Sequence, residues 1–353
     1  MAEVPPKMDI RLLDLPGLTE YMSSLKEPSF RAKQIYQWLW EKGATSFEKM
    51  TNLSKSLRDK LSEDFVIRAI TTDLVQHSSD GTVKCRYKLH DGLFIEAVLI
   101  PVPSDKRYTV CVSSQVGCSL SCKFCATGQM KRMRNLDPGE IYDQVKMIQD
   151  ICQETYGHPL TNIVYMGMGE PLLNYQHVHE SINIITSEKG LRMSPKRITI
   201  STAGIAKMIR RLADDHSKVN LALSLHAATD TKRHEIMPIN EHNNLETLQD
   251  AIQYYYTRTR NKVSYEYITF KGYNDTVEDA QALVKLCKRY PVLINIIEYN
   301  PIPGVVYEKS DPLTIDQFAA YLRKHDVMVT VRKSRGQDID AACGQLADQA
   351  PVS

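Results

Sequence analysis

The chain has 353 residues, of which 42% are hydrophobic and 24% charged, and its formal net charge is only +2. This composition is ordinary for a soluble globular protein, and the net charge gives no sign of nucleic-acid binding. The sequence contains no run of eighteen apolar residues, and its amino terminus has neither the basic start nor the apolar core of a signal peptide. We therefore expect a cytoplasmic protein that forms either one large domain or a large domain with a small companion.

The first part of the chain has the pattern of a small helical unit. Between residues 18 and 61, apolar positions recur at helical spacing, and Ile35, Trp38 and Leu39 fall on one face. Short polar segments interrupt this pattern and predict breaks between helices. We expect a helical domain over residues 1–65.

Three short segments follow the helices, and each has the apolar and polar alternation of a half-buried strand. Their sequences are AITTDLVQHS, VKCRYKLH and LFIEAVLIP. The turn signals SDGT and DG separate them, which favours antiparallel pairing. We expect residues 66–104 to form an antiparallel strand extension.

From residue 105 onward, apolar β-branched runs alternate with helical segments. The candidate strands are TVCVSS, NIVYMGM, RITIST, NLALSLH, SYEYITF, VLINIIEYN and VMVTVRK. The first long helix starts at Asp137 and Pro138, which suit an N-cap and a first turn. This alternation predicts a parallel sheet covered by helices over residues 105–353, either doubly wound or closed into a full or partial barrel. The last residues, 348–353, are expected to be disordered.

A set of polar residues and glycines lies near the carboxyl ends of these candidate strands. Because ligands bind at the carboxyl ends of parallel strands, we expect the set to converge on one site. Turn chemistry is the alternative explanation for any single member, since serine and asparagine are common where a strand enters a turn. The set comprises Gly169, Glu170, Ser201, Ser224, Leu225, His226 and Asn300.

Three of the eight cysteines of the chain lie within eight residues. Cys118, Cys122 and Cys125 have the spacing C-x3-C-x2-C. A structural zinc site needs four ligands, typically as two close pairs, and Cys152 and His158 downstream do not form a second pair of that kind. Three thiolates suit a cubic iron-sulfur cluster that keeps one iron without a protein ligand. Such an open iron is a place where a substrate or cofactor binds.

Local basic clusters are candidate phosphate contacts, although each taken alone is more often a solvated surface. They are the segment 131–134 and the short clusters that end at Arg197, Arg211, Arg233 and Arg335. The helical unit adds further candidates for RNA contact, namely Arg31, Lys33, Trp38 and Trp40.

The cysteine spacing resembles that of the radical S-adenosylmethionine (SAM) superfamily, in which the open iron of a 4Fe-4S cluster binds SAM. Further motifs narrow the resemblance to the RlmN family, the dual-specificity ribosomal and transfer RNA adenine carbon-2 methyltransferases. These motifs are CVSSQVGCSLSCKFCATG, MGMGEPLLN, STAG, SLHA, MPIN, NPIPG and RGQDIDAACGQLA. The resemblance covers most of the chain and implies an α/β fold with a partial (β/α)6 radical SAM barrel.

The resemblance implies two cofactors and a ligand set for each. Cys118, Cys122 and Cys125 would hold the 4Fe-4S cluster. Gly169 and Glu170 would bind the amino group of the methionine part of SAM. The remaining members of the strand-end set would bind the rest of SAM; they are Ser201, Ser224, Leu225, His226 and Asn300.

Three further residues match the catalytic residues of the family. Carbon 2 of adenine is too poor a nucleophile to take a methyl group directly from a sulfonium, so the family uses a cysteine as carrier. Cys343 matches the cysteine that is S-methylated, converted to a carbon radical by a 5′-deoxyadenosyl radical, and joined to the base. Glu96 matches the acceptor of the carbon-2 proton. Cys111 matches the thiol that releases the product by forming a transient disulfide with Cys343.

The resemblance also implies partners. The substrates would be 23S rRNA at the peptidyl transferase centre and tRNA next to the anticodon, with residues 1–65 as an RNA-binding accessory domain. Turnover would need an external one-electron reductant and a thiol reductant. We expect a monomer without membrane association. Two alternatives stay open: a Cfr-type adenine carbon-8 rRNA methyltransferase, and a non-catalytic zinc-stabilised RNA-binding protein.

Overall fold

The computed structural model of the chain describes residues 7–215 and 217–347. The segment 348–353, predicted to be disordered, lies outside the described residues. Within the described ranges, no helix is both long and apolar enough to cross a membrane.

Three helices form the amino-terminal part, where the sequence pattern predicts a helical unit. The side chains of Asp14 and Ser54 cap the first and third helices by accepting backbone hydrogen bonds. The predicted apolar face of the second helix is buried at Ile35 and Leu39 and half-buried at Trp38. The elements are the strand β1 (Met8–Asp9), the helices α1 (Leu15–Ser24), α2 (Phe30–Trp40) and α3 (Lys55–Asp64), and the strand β2 (Phe65–Val66), which pairs with β1.

An antiparallel meander follows, as the alternating segments predict. It consists of β3 (Thr71–His77), β4 (Val83–Lys88), β5 (Phe94–Val102) and β6 (Arg107–Cys111). Each strand pairs antiparallel with the next. β3 is largely exposed, whereas β5 is buried along most of its length. The meander therefore runs from an exposed sheet edge into the interior.

The remaining elements alternate as predicted. The short antiparallel pair β7 (Gln115–Val116) and β8 (Arg134–Asn135) brackets the cysteine motif. Asp137 and Glu140 form a capping box at the start of the next helix. In chain order the elements are α4 (Pro138–Tyr156), β9 (Asn162–Tyr165), α5 (Tyr175–Thr186), β10 (Ile198–Thr202), α6 (Ala206–Asp214), β11 (Asn220–Ser224), α7 (Asp230–Ile236), α8 (Leu245–Thr259), β12 (Val263–Thr269), α9 (Val277–Leu286), β13 (Leu293–Glu298), α10 (Pro312–Lys324) and β14 (Met328–Arg332).

The main sheet has ten strands in the order β14-β13-β12-β11-β10-β9-β6-β5-β4-β3. The seven strands from β14 to β6 run parallel. Residues such as Ile163, Leu221 and Ile294 are buried on the face that the helices cover. The opposite face curves around a cavity of about 750 Å³, which is lined by residues of β5, β6 and β9 to β14. The predicted α/β fold with a partial barrel is confirmed.

A loop closes the gap between the two edge strands, β3 and β14. We call residues 333–347 the carboxyl-terminal loop. Asp338 of this loop accepts hydrogen bonds from the Ser78 hydroxyl (2.6 Å) and the Ser79 N–H (3.0 Å), just beyond β3. The Gly336 N–H donates in turn to the Asp80 carboxylate (2.9 Å). The carboxyl-terminal loop thus joins the two ends of the sheet.

Candidate active site

The three clustered cysteines lie between β7 and β8 and line the cavity. Gly117, immediately before them, has φ 72°, and a Cβ there would lie 2.2 Å from the Lys131 carbonyl oxygen. A Cβ on Gly128, just after them, would lie 2.7 Å from the Cys122 carbonyl oxygen. Only glycine fits these positions without movement of the backbone, so the loop folds tightly around the cysteines.

The three thiols form one electrostatic group. Burial raises the pKa of Cys118 to about 11 and that of Cys122 well above its usual value, and neighbouring thiolates of the triad add to both shifts. Among the described residues, no three His, Cys, Asp or Glu side chains converge as ligands of a single metal ion would. A cubic cluster needs a wider triangle, because each cysteine binds a different iron. Three thiols facing one cavity fit such a cluster, which would offset part of their buried charge.

Gly169 and Glu170 follow β9 at the carboxyl edge of the sheet, as predicted. Gly169 has φ 93°, and a Cβ there would lie 2.4 Å from the Gln115 Cβ. The Glu170 side chain accepts hydrogen bonds from the N–H groups of Leu172 (3.0 Å) and Ala203 (2.8 Å). Burial raises its pKa to about 7. This carboxylate, held between the ends of β9 and β10, is able to accept a hydrogen bond from an ammonium group.

Ser201 and Ser224 lie on neighbouring strands, and their hydroxyls are 3.5 Å apart in the cavity wall. His226, also in the wall, has its Nδ1 as acceptor of a hydrogen bond from the Ile268 N–H (3.1 Å). Burial, and then the charge of Arg233, lowers the pKa of His226 to about 3. The ring is therefore neutral near pH 7, with its proton on Nε2 as a hydrogen-bond donor.

Leu225 and Asn300, the other two predicted cofactor residues, lie behind the residues that line the cavity. The buried Leu225 donates its N–H to the Glu266 carbonyl (3.0 Å). The Asn300 amide donates to the Cys343 carbonyl (3.2 Å) and accepts from Gln337 (2.8 Å). In this structure the Asn300 side chain therefore holds the carboxyl-terminal loop.

Cys343 and Cys111 line the same cavity as the triad. Cys343, in the carboxyl-terminal loop, is accessible from the cavity, whereas Cys111, at the end of β6, is 8% exposed. Desolvation by the surrounding protein raises the pKa of each thiol to about 12, and charge interactions add a contribution from Cys343 to Cys111 and from Cys125 to Cys343. Cys343 is thus within electrostatic reach of both Cys111 and the triad.

The carboxyl-terminal loop is attached directly to the segment that follows the triad. The Ala126 N–H donates to the Gly344 carbonyl (2.7 Å), and the Thr127 hydroxyl donates to the Leu346 carbonyl (2.5 Å). These bonds hold Cys343 beside the cysteine loop, although its position in the sequence is more than two hundred residues away.

Glu96 lies on β5 and is 2% exposed. Its carboxylate is 3.5 Å from the Lys84 ammonium and accepts a hydrogen bond from the Ala347 N–H (3.1 Å), at the end of the carboxyl-terminal loop. Because β5 pairs with β6 and Val98 lies opposite Cys111, Glu96 is close to Cys111 in the sheet. Glu96 lies outside the set of residues that line the cavity. In the described structure the Glu96 carboxylate contacts the carboxyl-terminal loop, which carries Cys343, and is linked to the site by that loop.

Comparisons with known proteins establish the family of this chain. A family model described as the ribosomal RNA large subunit methyltransferase N-terminal domain matches residues 8–67, and the radical SAM superfamily model matches residues 112–287. A probable dual-specificity RNA methyltransferase RlmN of Flavobacterium psychrophilum is 52% identical, over 97% of this chain and 98% of its own length. The chain belongs to the RlmN family.

Two further proteins extend the comparison. A dual-specificity RNA methyltransferase RlmN 2 of Myxococcus xanthus is 42% identical over 99% of this chain and 93% of its own length. The crystal structure of a radical SAM methyltransferase from Sphaerobacter thermophilus has a TM-score of 0.90 and 38% identity, with coverage of 96% of this chain and 99% of that chain. Membership of the radical SAM superfamily makes a 4Fe-4S cluster and SAM the cofactors of this RlmN protein.

The cavity of this RlmN protein also contains a polar group that sequence reasoning missed. Asn295 donates to Glu266 (2.7 Å), Thr330 donates to Asn295 (2.5 Å), and Arg332 lies 3.4 Å from Glu266. All four residues line the cavity. They occupy inward positions on β12, β13 and β14, so a search for polar residues at alternate positions of apolar strands would have found them.

Two predicted RNA contacts are wrong, because Trp40 is 1% exposed and Arg233 is fully buried. Arg233 ends a basic cluster that the sequence analysis gives as a solvated surface or a candidate phosphate contact, but it lies on α7 with 0% exposure. Its guanidinium donates hydrogen bonds to protein carbonyls, among them that of Ala203 (2.5 Å). Arg233 is therefore inaccessible to RNA, because helix packing turns it inward.

Proposed function

We propose that this chain methylates carbon 2 of adenosine in 23S rRNA at the peptidyl transferase centre and in tRNA next to the anticodon. Its relatives in Flavobacterium psychrophilum and Myxococcus xanthus are named as dual-specificity RNA methyltransferases. The observation that carries the proposal is one cavity lined by the cysteine triad, Cys343 and Cys111. A carrier cysteine, a releasing cysteine and a cluster site thus share one reaction volume.

The residues present fit both cofactors. When bound, the cluster and SAM supply the methyl group and a carbon-centred radical that abstracts hydrogen. The triad cysteines hold the cluster, and the Glu170 carboxylate, beside Gly169, pairs with the ammonium of the methionine part. The hydroxyls of Ser201 and Ser224 and the neutral ring of His226 offer hydrogen bonds to the remaining polar atoms. Leu225 acts through its packing and backbone, and Asn300 acts by fixing the carboxyl-terminal loop.

Cys343 carries the methyl group in this proposal. Cys343 is exposed and lines the cavity, as a carrier that must meet both cofactor and base requires. The adenine carbon becomes joined to the Cys343 sulfur through the carried carbon. RNA is then covalently attached to the protein until the sulfur to carbon bond is broken.

Release requires a base and a second thiol. Glu96 accepts the proton from carbon 2 of the joined adenine, and the unpaired electron of the adduct must pass to a one-electron acceptor, a role that the oxidised cluster would supply. The Cys111 thiolate attacks the Cys343 sulfur and forms a disulfide, while the electron pair of the broken sulfur to carbon bond stays on carbon and takes up a proton to complete the methyl group. The disulfide must then be reduced by an external thiol before another turnover. The Lys84 ammonium and the Ala347 N–H hold Glu96 next to the carboxyl-terminal loop while the loop is closed.

We assign RNA binding to the surface around the cavity mouth and to the helical accessory domain, residues 1–65. Residues 66–104 are proposed as the strand extension, and residues 105–353 as the barrel with its catalytic loop. A target base inside a stack has no access to a buried cavity, so single-stranded or loop RNA is the substrate form. The match of residues 8–67 to an rRNA methyltransferase amino-terminal domain supports this assignment. The chain would act as a cytoplasmic monomer and draw single electrons from an external reductant.

Mass spectrometry of RNA from a deletion strain complemented with this chain tests the proposal. We expect 2-methyladenosine in 23S rRNA and tRNA, and none when Cys343→Ala is supplied instead. Methylation at carbon 8 would favour the Cfr-type alternative, which shares the cluster and redox cysteines. Anaerobic reconstitution separates the zinc alternative, because a 4Fe-4S protein is brown and a zinc protein is colourless.

A further inference from the structure

Arg233 is hydrogen-bonded to the ends of β10 and β11, the strands that carry Ser201 and Ser224. Its guanidinium donates to the carbonyl oxygens of Ala203 (2.5 Å), Leu225 (3.2 Å) and Ser224 (3.3 Å), at the ends of β10 and β11. A further bond goes to the Asn240 side-chain oxygen (2.8 Å). All these acceptors are neutral, so the hydrogen bonds are satisfied but none of them neutralises the positive charge.

Arg233 is unusual because it is fully buried and yet has no close ion-pair partner among the described residues. Among the described residues, no carboxylate lies within the 4.0 Å ion-pair distance of this guanidinium, and Asp230, at the start of α7, acts on it only from farther away. Burial lowers the pKa of Arg233 to about 10, which still leaves it protonated near neutral pH. A buried, unpaired cation destabilises the folded chain unless a group of opposite charge compensates it.

The cysteine triad lies next to α7, the helix that carries Arg233, and its thiolates are negative charges that are able to compensate this cation. The Lys123 N–H, inside the triad, donates to the Ile236 carbonyl of α7 (3.0 Å), so the helix packs against the cysteine loop. The charge of Arg233 stabilises the Cys122 thiolate, whereas the Glu170 carboxylate acts in the opposite direction.

We propose that Arg233 is the buried counter-charge of the 4Fe-4S cluster and a positioning residue that raises its reduction potential. This inference rests on the proposed function, in which the triad holds the cluster. Three thiolates outweigh the positive charge of the cluster core, and one-electron reduction adds a further negative charge. A fixed cation in a weakly polarisable interior stabilises the reduced form more than the oxidised form. Arg233 therefore eases the electron uptake on which the reaction depends.

Redox titration of the anaerobically reconstituted full chain tests this inference. Dithionite with redox mediators is the reductant, and the electron paramagnetic resonance signal of the reduced cluster is the readout. We expect Arg233→Met to shift the midpoint potential to a more negative value at unchanged iron content. Arg233→Lys, which keeps the charge but loses most of the hydrogen bonds, should stay close to the wild-type potential. A structural role alone would lower the stability of both variants and leave the potential unchanged.

Arg11→Met is the matched control for loss of a buried arginine. Arg11 is 5% exposed and pairs with Asp9 (3.2 Å) and Asp143 (2.8 Å), away from the residues that line the cavity. Its removal should destabilise the chain without moving the potential. A shift as large as that of Arg233→Met would overturn the inference, because it would trace the effect to general loosening.

Asp230→Asn keeps the test decisive if Arg233→Met fails to fold. The exposed Asp230 side chain accepts hydrogen bonds through Oδ1, from Asn240 (2.9 Å) and the Leu245 N–H (2.9 Å), and asparagine retains that oxygen. Removal of its negative charge should shift the potential to a less negative value. An unchanged or more negative potential in a fully loaded Asp230→Asn protein would overturn the inference and leave the proposed function intact. Failure of the wild-type chain to form a 4Fe-4S cluster would overturn both.

Discussion

At the residue scale, Cys343 and Cys111 have different surroundings and different proposed roles. Cys343 is accessible from the cavity and lies on a loop, whereas Cys111 is 8% exposed at the end of a strand. A carrier must meet RNA, but a releasing thiol needs to reach only the carrier sulfur. The difference in exposure therefore matches the proposed division of roles, in which Cys343 carries the methyl group and Cys111 releases the product.

Substitution of each cysteine should stop the reaction at a different stage. We expect Cys343→Ala to lose methyl transfer completely, because no carrier sulfur remains. Cys111→Ala should still attach RNA but should be unable to release it, so a protein-RNA adduct should accumulate on denaturing gels. Cys287→Ala, at a half-buried cysteine away from the cavity, is the matched control and should retain turnover. Absence of any adduct with Cys111→Ala would contradict the disulfide step.

His226 should make folding stability depend on pH. Its pKa falls from 6.5 in the unfolded chain to about 3 in the folded chain, chiefly through burial. Below about pH 6.5 the unfolded chain binds a proton that the folded chain does not, so the free energy of unfolding decreases as pH falls. At pH 5.5 this linkage costs about 1.4 kcal/mol relative to pH 8.

Urea denaturation of the cofactor-free chain at several pH values measures this contribution. His226→Asn should remove that part of the pH dependence, and the exposed His242→Asn should preserve it. Identical pH slopes for the wild type and His226→Asn would show that His226 is not buried in its neutral form.

At the scale of elements, the loop between β7 and β8 depends on glycines that allow its backbone to pass close to itself. A Cβ at Gly117 would lie 2.2 Å from the Lys131 carbonyl oxygen, and Gly117 has φ 72°. Gly92 provides a comparison, since it has φ 83° but nothing lies within 4 Å of the place that a Cβ would take there. The two sites share the strain of a positive φ and differ in the steric clash.

Gly117→Ala should therefore impair cluster assembly more than Gly92→Ala. Overpacking and backbone strain each cost about 1–3 kcal/mol, and at Gly117 both fall on the loop that holds the cysteines. We expect Gly117→Ala to bind clearly less iron per chain after anaerobic reconstitution, whereas Gly92→Ala should bind as much as the wild type. Equal iron content in the two variants would mean that the cysteine loop tolerates the displacement.

At the scale of the whole molecule, the partial barrel is completed by the carboxyl-terminal loop. The ten-stranded sheet has β3 and β14 at its edges, and the loop crosses between them through Asp338 and Gly336. The same loop contacts Thr127 next to the triad and Glu96 on β5. The same loop therefore closes the barrel and places Cys343 in the cavity.

Weakening the attachment of this loop should expose it to solvent. Asp338→Ala removes the acceptor of hydrogen bonds from Ser78 and Ser79. We expect faster amide hydrogen exchange across residues 333–347 and a lower rate of methyl transfer, with little change in iron content. Asp316→Ala, at an exposed position of α10, is the control and should leave exchange in the loop unchanged. Unaltered exchange in Asp338→Ala would mean that the bonds near the triad suffice to hold the loop.

Many structural features of this protein depend on short sequence segments and could be predicted from the sequence alone. The alternation of strands and helices predicts the parallel sheet, because each period reflects which face of an element is buried. The spacing of Cys118, Cys122 and Cys125 predicts a three-thiolate site, because short separations leave the chain little freedom to place them apart. Residues at strand ends, such as Glu170 and Ser224, follow the rule that parallel strands share one functional edge.

Other features were decided only by tertiary structure, because they depend on contacts between distant segments. Without the family resemblance, nothing local to Cys343 indicates that its loop lies beside the triad. Arg233 shows the limit most clearly, since its sequence context is that of an exposed basic cluster while helix packing buries it. Side-chain chemistry and local periodicity are encoded in short segments, but burial, and with it the electrostatics of the site, is a property of the assembled fold.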